Sequence, residues 1–132
     1  MKIGVSAIAK SLDAQVDPRF GRCQFFVIVD SETMEFEVVP NVASGAMHGA
    51  GIQAAQMMVN KGVQVVLTGN VGPNAFRTLS AAGIKIVTGI SNTVREVVEK
   101  YKNGELTEVS NPTVSGHSGM GGRRGRMGGG GR

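Results

Sequence analysis

The chain has 132 residues, of which 41% are hydrophobic and 18% are charged, and its formal net charge is +4. This length and composition predict one folded domain with one core and exclude a chain that is disordered throughout. No apolar run approaches the roughly 20 residues that span a bilayer, and the N-terminus lacks the pattern of a secretory signal. The single cysteine, Cys23, cannot form an internal disulfide. We therefore expect a cytoplasmic protein with no membrane partner.

The positive charge is concentrated near the C-terminal end of the sequence. Residues 1–112 hold ten basic and ten acidic residues, whereas residues 113–132 hold four arginines and no acid and so carry the whole excess. A folded domain that binds nucleic acid usually has a basic face of its own, and this one has no net excess. We predict one α/β domain over residues 1–110 and a disordered Gly/Arg-rich tail over residues 111–132.

Alternating or continuous apolar runs predict five strands. The second and third strands are close enough in sequence to form an antiparallel hairpin. The fourth is apolar throughout, as expected of a strand that is buried on both faces. A further short edge strand is expected over residues 105–109. The five predicted strands cover residues 2–8, 25–30, 34–39, 63–68 and 84–88.

Amphipathic spacing predicts three helices among these strands. The first begins at His48 or Gly49 and ends at Lys61, the second begins at Pro73, and the third is capped by Asn92 or Thr93. The expected buried stripes are Ile52, Ala55, Met58 and Val59 in the first helix, Phe76, Leu79 and Ala82 in the second, and Val94, Val97, Val98 and Tyr101 in the third.

The element order β-β-β-α-β-α-β-α places a hairpin next to βαβ units and predicts a mixed sheet with helices on both faces. Ligands of open α/β sheets bind at the carboxyl ends of the strands. If the first, fourth and fifth strands are parallel, the loops 9–24, 69–74 and 88–92 all emerge at such ends. The loop 41–47 joins them, because it leads into the first helix.

The first of these loops contains Cys23 between basic and apolar residues. We expect Arg19 and Arg22 to favour the thiolate and lower the pKa of Cys23, and a thiolate is a ligand for soft metals. The alternative is a small core residue, since Cys23 directly precedes the apolar strand 25–30. Both interpretations stay open at this point.

The segment 47–54 carries a glycine pattern at the start of the first helix. Gly49, Gly51 and Ala54 match G-x-G-x-x-A, although no acidic residue follows about 20 residues later to hold a ribose. A more general reading is that small residues here let an anion approach backbone N–H groups. His48 could bind a metal or donate a hydrogen bond, or it could be an ordinary surface histidine.

Four segments of the chain form a recognisable series: Asp17-Pro18-Arg19-Phe20-Gly21-Arg22-Cys23, Phe25-Phe26-Val27-Ile28-Val29-Asp30, Gly49-Ala50-Gly51-Ile52-Gln53-Ala54-Ala55 and Leu67-Thr68-Gly69-Asn70-Val71-Gly72-Pro73-Asn74-Ala75. In this order they resemble the dinitrogenase iron-molybdenum cofactor-binding family, the NifX/NifY-like group. The resemblance covers roughly residues 1–105. It implies a three-layer α/β/α fold with a mixed, ribonuclease H-like sheet of about five strands.

The same resemblance implies non-catalytic binding, carriage or delivery of an iron-sulfur or iron-molybdenum-type cluster. The partners it implies are the cluster and the proteins that donate or accept it. Cys23 and His48 would be the metal ligands. The implied cofactor-binding residues are Arg19, Phe20, Gly21, Arg22, Cys23, Met47, His48, Gly49, Asn70 and Gly72.

Two other functions compete with this hypothesis. The arginines of the tail could bind nucleic acid, but no aromatic residue accompanies them for stacking on bases. A ribonuclease H-like enzyme would need a set of carboxylates, and the spacing of Asp13, Asp17 and Asp30 suggests no two-metal cluster. The tail residues His117, Met120 and Met127 could also assist delivery of a soft metal, or their spacing could be incidental.

Overall fold

The computed structural model describes residues 1–113. The predicted tail covers residues 111–132. Residues 114–132 of it, which include His117, Met120 and Met127, lie outside the described residues. The disorder predicted for that tail therefore stays a prediction. None of the helices within residues 1–113 combines the length and the apolar character that crossing a membrane requires.

The structure has five strands: β1 (Lys2–Ala7), β2 (Phe25–Asp30), β3 (Phe36–Pro40), β4 (Val65–Leu67) and β5 (Lys85–Val87). They form one mixed sheet in the order β3-β2-β1-β4-β5. The strand β1 pairs antiparallel with β2 and parallel with β4, and β4 pairs parallel with β5. The hairpin of β2 and β3 pairs Phe25 with Pro40 and Val29 with Phe36. The parallel strands β1, β4 and β5 thus bring their carboxyl ends to one edge, as predicted.

Three helices cover the two faces of the sheet: α1 (Ala50–Asn60), α2 (Pro73–Ala81) and α3 (Val94–Lys102). Side chains of α3 join one buried cluster with Val5 and Leu67, whereas side chains of α1 and α2 join a second with Phe26 and Val66. Residues at alternate positions of β4 therefore serve opposite cores. The predicted three-layer α/β/α fold with a mixed five-stranded sheet is confirmed.

Several details differ from the sequence-based expectations. Ile52 is 43% exposed, and Ala50 and Ala54 are buried instead, because α1 packs closely against α2 through its small residues. Met34 lies in the hairpin turn with a φ of 63°, so β3 begins only at Phe36. The predicted edge strand over 105–109 is absent from the described residues, although the Val109 N–H donates to the Ile86 carbonyl.

Candidate functional site

A cleft of about 280 Å³ opens where the loop 9–24 meets the first turns of α1 and α2. It lies beyond the carboxyl ends of β1 and β4, where ligands bind in open α/β sheets. Its lining contains one cationic side chain and no carboxylate. The lining residues are Phe20, Gly21, Arg22, Gly49, Ala50, Gly51, Ile52, Asn70, Gly72, Pro73, Asn74 and Ala75.

Two helix N-termini border this cleft. Gly49 caps α1 in the left-handed conformation, with a φ of 73°, and Gly72 precedes Pro73, the first residue of α2. Neither N-cap residue makes a side-chain hydrogen bond to its helix. The first-turn N–H groups of a helix have no partner inside the helix, and together they carry about half a positive charge. The cleft therefore presents two adjacent sites for a negatively charged group.

Close backbone packing sets the width of the cleft. A Cβ atom at Gly21 would lie 3.0 Å from both the Cα and the nitrogen of Gly51, and one at Gly51 would lie 3.3 Å from the Cβ of Ala75. Residues without a side chain let the loop approach α1, and α1 approach α2, this closely without displacing a neighbour. The glycines thus keep the N–H groups of both helices near one another.

The loop 9–24 is fixed by backbone contacts to the turn that follows β4. The Asn70 N–H donates to the Pro18 carbonyl at 2.8 Å, and the Phe20 N–H donates to the Asn70 carbonyl at 3.4 Å. A Cβ atom at Gly69 would lie 2.5 Å from the Cα of Pro18, so only glycine permits this approach. The two loops are therefore held together as one wall of the cleft.

Asp17 and Arg19 form an ion pair at the base of this wall. The Arg19 guanidinium donates two hydrogen bonds of 3.1 Å to the Asp17 carboxylate, which also accepts the Arg19 backbone N–H at 2.9 Å. The Asp17 side chain is 2% exposed and that of Arg19 63% exposed. Hydrogen bonding to Asp17 and its charge raise the pKa of Arg19. The Asp17 carboxylate neutralises the charge of Arg19, and their contact helps to fix the shape of the loop. Arg19 does not line the cleft.

Cys23 lies in the hydrophobic core and does not line the cleft. Its thiol donates to the Phe20 carbonyl at 3.4 Å. Burial, followed by the charge of Asp17, raises the pKa of Cys23 from 9.0 to about 12. The expectation of a lowered pKa is therefore wrong. The removal of water favours the neutral thiol, and the nearby Asp17 carboxylate favours it further.

Arg22 instead connects the first loop to the loop that leads into α1. Its guanidinium donates to the carbonyls of Ser44 and Ala46, at 3.0 and 2.6 Å. These acceptors are neutral, so the positive charge of Arg22 at the cleft is not cancelled by a carboxylate. Among the charged side chains that sequence reasoning singled out, Arg22 is the one the structure places in the lining.

Asn41 is a buried support of the site that sequence reasoning missed. Its Nδ2 donates to the carbonyls of Gly21 and Cys23 at 3.1 and 2.9 Å, and its Oδ1 accepts the Ala43 N–H at 3.1 Å. It thereby joins Gly21 and Cys23 to the segment that follows β3. The sequence contains one signal that could have identified Asn41 as a supporting residue. It is an asparagine directly after the hairpin, and asparagine side chains often form hydrogen bonds with nearby backbone groups.

Six of the ten predicted binding residues line the cleft: Phe20, Gly21, Arg22, Gly49, Asn70 and Gly72. Arg19 and Cys23 stand behind its wall, and Met47 and His48 are exposed just before Gly49. The lining residues Ala50, Gly51, Ile52, Pro73, Asn74 and Ala75 were not singled out as binding residues. All six lie in the two segments already recognised as helix starts, so the rule that helix N-termini bind anions could have found them.

The carboxylates of the described residues do not gather into a metal centre. No group of three or more His, Cys, Asp or Glu side chains within residues 1–113 is placed to hold a metal ion. Asp13 bonds Arg95 at the surface, Asp17 bonds Arg19, and Asp30 bonds the backbone of its own turn. Nothing in this arrangement favours the ribonuclease H-like enzyme.

The structure is that of a small α/β domain with a cleft between two helix starts and a fixed loop. The sequence matches the family described as dinitrogenase iron-molybdenum cofactor over residues 1–104, and the chain belongs to this family. The resemblance drawn from the four sequence motifs is therefore confirmed.

The chain is also similar in sequence and in fold to a relative and to solved structures. An uncharacterized protein of Methanocaldococcus jannaschii is 31% identical over 110 residues, which are 80% of this chain and 93% of the relative. The apo form of the orange protein from Desulfovibrio gigas is 45% identical, with a TM-score of 0.83 over 85% of this chain and 95% of that one. An NMR structure of a Thermotoga protein is 38% identical, with a TM-score of 0.74 over 85% and 96% of the two chains.

Proposed function

We propose that this protein binds an anionic metal–sulfur cluster, of the iron-sulfur or iron-molybdenum type, in the cleft between α1 and α2, and carries it without catalysing a reaction. The observation that carries the proposal is the pair of helix N-termini, neither with a side-chain cap, that meet at a cleft lined by Arg22 and by no carboxylate. The membership of the chain in a family described by the iron-molybdenum cofactor supports the choice of ligand.

The chemistry of the lining fits a cluster that brings its own sulfides. Such clusters are anionic, and their sulfides accept hydrogen bonds from backbone N–H groups. A structural iron–sulfur centre held by protein alone would need about four cysteine thiolates. The donors in the lining are backbone N–H groups, the side-chain NH2 groups of Asn70 and Asn74, and the guanidinium of Arg22. Contacts of this kind retain an anion and also allow its release to an acceptor protein.

Cys23 and His48 differ in their access to such a ligand. The Cys23 thiol is buried, hydrogen-bonded and protonated at neutral pH, since its pKa is about 12. His48 is exposed and directly precedes the lining residue Gly49. We therefore propose that Cys23 supports the loop from behind and that His48 is the residue placed to reach a metal at the mouth. Direct ligation by either residue stays a prediction.

A charge-reversal experiment at the cleft tests the proposal. Tetrathiomolybdate, a soluble molybdenum–sulfide dianion, serves as the probe and is titrated anaerobically while its visible absorption is followed. Asn74→Asp places a negative charge in the first turn of α2, where it stabilises the helix by about 0.3–1 kcal/mol. The same charge repels the probe by about 1.4 kcal/mol even at about 6 Å and the dielectric of bulk water. We expect affinity for the probe to fall about tenfold while the fold becomes slightly more stable.

Asn103→Asp is the matched control, because it adds the same charge to an exposed residue at the end of α3, on the other face of the sheet. This control should bind the probe as tightly as the parent chain. A second measurement reconstitutes each protein with ferrous iron, sulfide and molybdate and compares the metal bound per chain. Equal binding by Asn74→Asp and the parent, in both measurements, would show that the cleft is not the site.

A further inference from the structure

The chain after α3 forms a strap, residues 105–113, that passes around the β5 edge of the sheet. Leu106 packs against the buried cluster on the face of α3, whereas Val109 packs against the cluster on the face of α1 and α2. The Val109 N–H also donates to the Ile86 carbonyl of β5 at 2.8 Å. The strap therefore crosses from one face of the sheet to the other and ends on the face that carries the cleft.

Thr113, at the end of the strap, is joined to Val71 by three hydrogen bonds. Its N–H donates to the Val71 carbonyl at 3.0 Å, and its hydroxyl accepts the Val71 N–H at 2.9 Å and donates to the Val71 carbonyl at 3.2 Å. Within residues 1–113, Thr113 supplies the hydrogen-bond partners of both backbone groups of Val71. Val71 is 1% exposed, and a buried backbone group without a partner is costly. These bonds, the Thr113 clamp, therefore fix the backbone of Val71.

Val71 lies in the turn that joins the cleft wall to α2. Its neighbours Asn70 and Gly72 line the cleft, and Gly72 is the N-cap residue of α2 and provides no side-chain cap. Both backbone groups of Asn70 bond to the loop 9–24. The turn is thus held on one side by the loop, through Asn70, and on the other side by the strap, through Val71. Since Val71 is the last fixed residue before the N-cap, the clamp sets where the first N–H groups of α2 lie.

We propose that Thr113 is a positioning residue of the cleft, and that its clamp on Val71 holds the first turn of α2 in the orientation that binds the anion. This inference rests on the proposed function, because it takes the cleft as the anion site. Thr113 does not line the cleft, so it acts through the backbone of Val71. A chain whose N–H groups are already aimed at the cleft binds more tightly, because the apparent affinity scales with the fraction of chains in that conformation.

Thr113→Val tests the clamp, because it removes the hydroxyl and keeps both the shape of the side chain and the backbone N–H. Thr113 is exposed, so the substitution does not alter a core. The full chain is titrated anaerobically with tetrathiomolybdate. We expect affinity to fall about threefold to tenfold, the factor that the loss of one hydrogen bond allows. Thr113→Ser keeps the hydroxyl and should bind the probe about as tightly as the parent.

Thr33→Val is the matched control. Thr33 is exposed, and its hydroxyl accepts the Glu35 N–H at 3.1 Å in the turn between β2 and β3, at the opposite end of the sheet from the cleft. This variant loses a comparable hydrogen bond far from the anion, so its affinity for the probe should equal that of the parent. Urea unfolding of all four chains measures their stability, and we expect the affinity loss of Thr113→Val to exceed any that Thr33→Val shows at a similar midpoint.

A second readout follows the Val71 amide in the absence of the probe. Its hydrogen exchange, measured by NMR, should be faster in Thr113→Val than in the parent or in Thr113→Ser, because the hydroxyl that accepts this N–H is gone. The amides of β1 should exchange at the rate of the parent in all chains. Faster exchange at Val71 together with weaker binding of the probe supports the positioning role.

The outcomes separate this inference from the proposed function. If Thr113→Val binds the probe as tightly as the parent, the positioning role is overturned and the cleft remains the site. Equal losses of affinity in Thr113→Val and Thr113→Ser, or in Thr113→Val and Thr33→Val, also overturn it, because neither pattern depends on the hydroxyl at Val71. Absence of binding by every chain, the parent included, overturns the proposed function and this inference with it.

Discussion

Replacement of Gly21 by alanine should weaken ligand binding more than it destabilises the fold. The new Cβ would lie 3.0 Å from the Cα of Gly51, whereas carbon atoms pack best at about 3.5–4.0 Å, so the loop or the helix must move by about half an ångström. Overpacking of this kind costs about 1–3 kcal/mol. Alanine also reduces the backbone freedom of the unfolded chain, which stabilises the folded state by about 0.4–1 kcal/mol. The net destabilisation should be about 1–2 kcal/mol.

The effect on binding has a different origin. The same methyl group would lie 3.0 Å from the Gly51 nitrogen, the distance at which an acceptor atom of a ligand would lie. A hydrogen bond to a charged group contributes about 1.5–3 kcal/mol, so its loss should weaken binding by about ten- to a hundredfold. Urea unfolding measures the first quantity, and anaerobic titration with tetrathiomolybdate measures the second.

Gly45→Ala is the control, because Gly45 has no heavy atom within 4 Å of the position its Cβ would take and does not have a positive φ. It should leave binding unchanged and stability within about 0.5 kcal/mol of the parent or slightly above it. If Gly21→Ala binds the probe with the affinity of the parent, the Gly51 N–H does not contact the ligand and the geometric argument for the cleft fails.

Three further predictions concern stability. Gly69→Ala, whose Cβ would lie 2.5 Å from the Cα of Pro18, should lower the urea midpoint more than Gly21→Ala does, with an unchanged m-value. The pKa of Cys23 is raised from 9.0 to about 12, so between these pH values the folded chain keeps a thiol proton that the unfolded chain releases. The contribution of this thiol to the free energy of unfolding is therefore complete below pH 9 and disappears as the pH rises to about 12. The stability difference between the parent and Cys23→Ala should therefore shrink across that window. Thr93→Ala removes the capping box of α3 and should cost about 1 kcal/mol in urea unfolding.

The sequence predicted most of the fold because hydrophobic periodicity and turn residues agree along it. The bounds of β2 coincide with the prediction, and Pro73 opens α2 as expected. The buried face of α1 was predicted less well. Periodicity assigns large apolar residues to the core, but the close approach of α1 to α2 selects small ones, so Ile52 is exposed and Ala54 is buried.

The sequence indicated the region where the cleft lies, because helix starts and strand ends are local features. Six of the ten residues that the resemblance implied for binding line this cleft, and their role in binding stays a prediction. The ionisation of Cys23 depends on where neighbouring guanidinium groups point, which sequence adjacency does not determine. Arg19 turns to Asp17 and Arg22 turns to the carbonyls of Ser44 and Ala46, which leaves the thiol in the core.

The most direct test of the central claim is an NMR titration of the backbone amides with tetrathiomolybdate under anaerobic conditions. If an anionic metal–sulfur species binds at the two helix N-termini, the largest shifts should fall on the amides of Gly51, Ile52, Asn74 and Ala75, and they should saturate together. Largest shifts on the amides of another region, such as the surface around Met1, Ser31 and Tyr101, would contradict the account, as would shifts that never saturate.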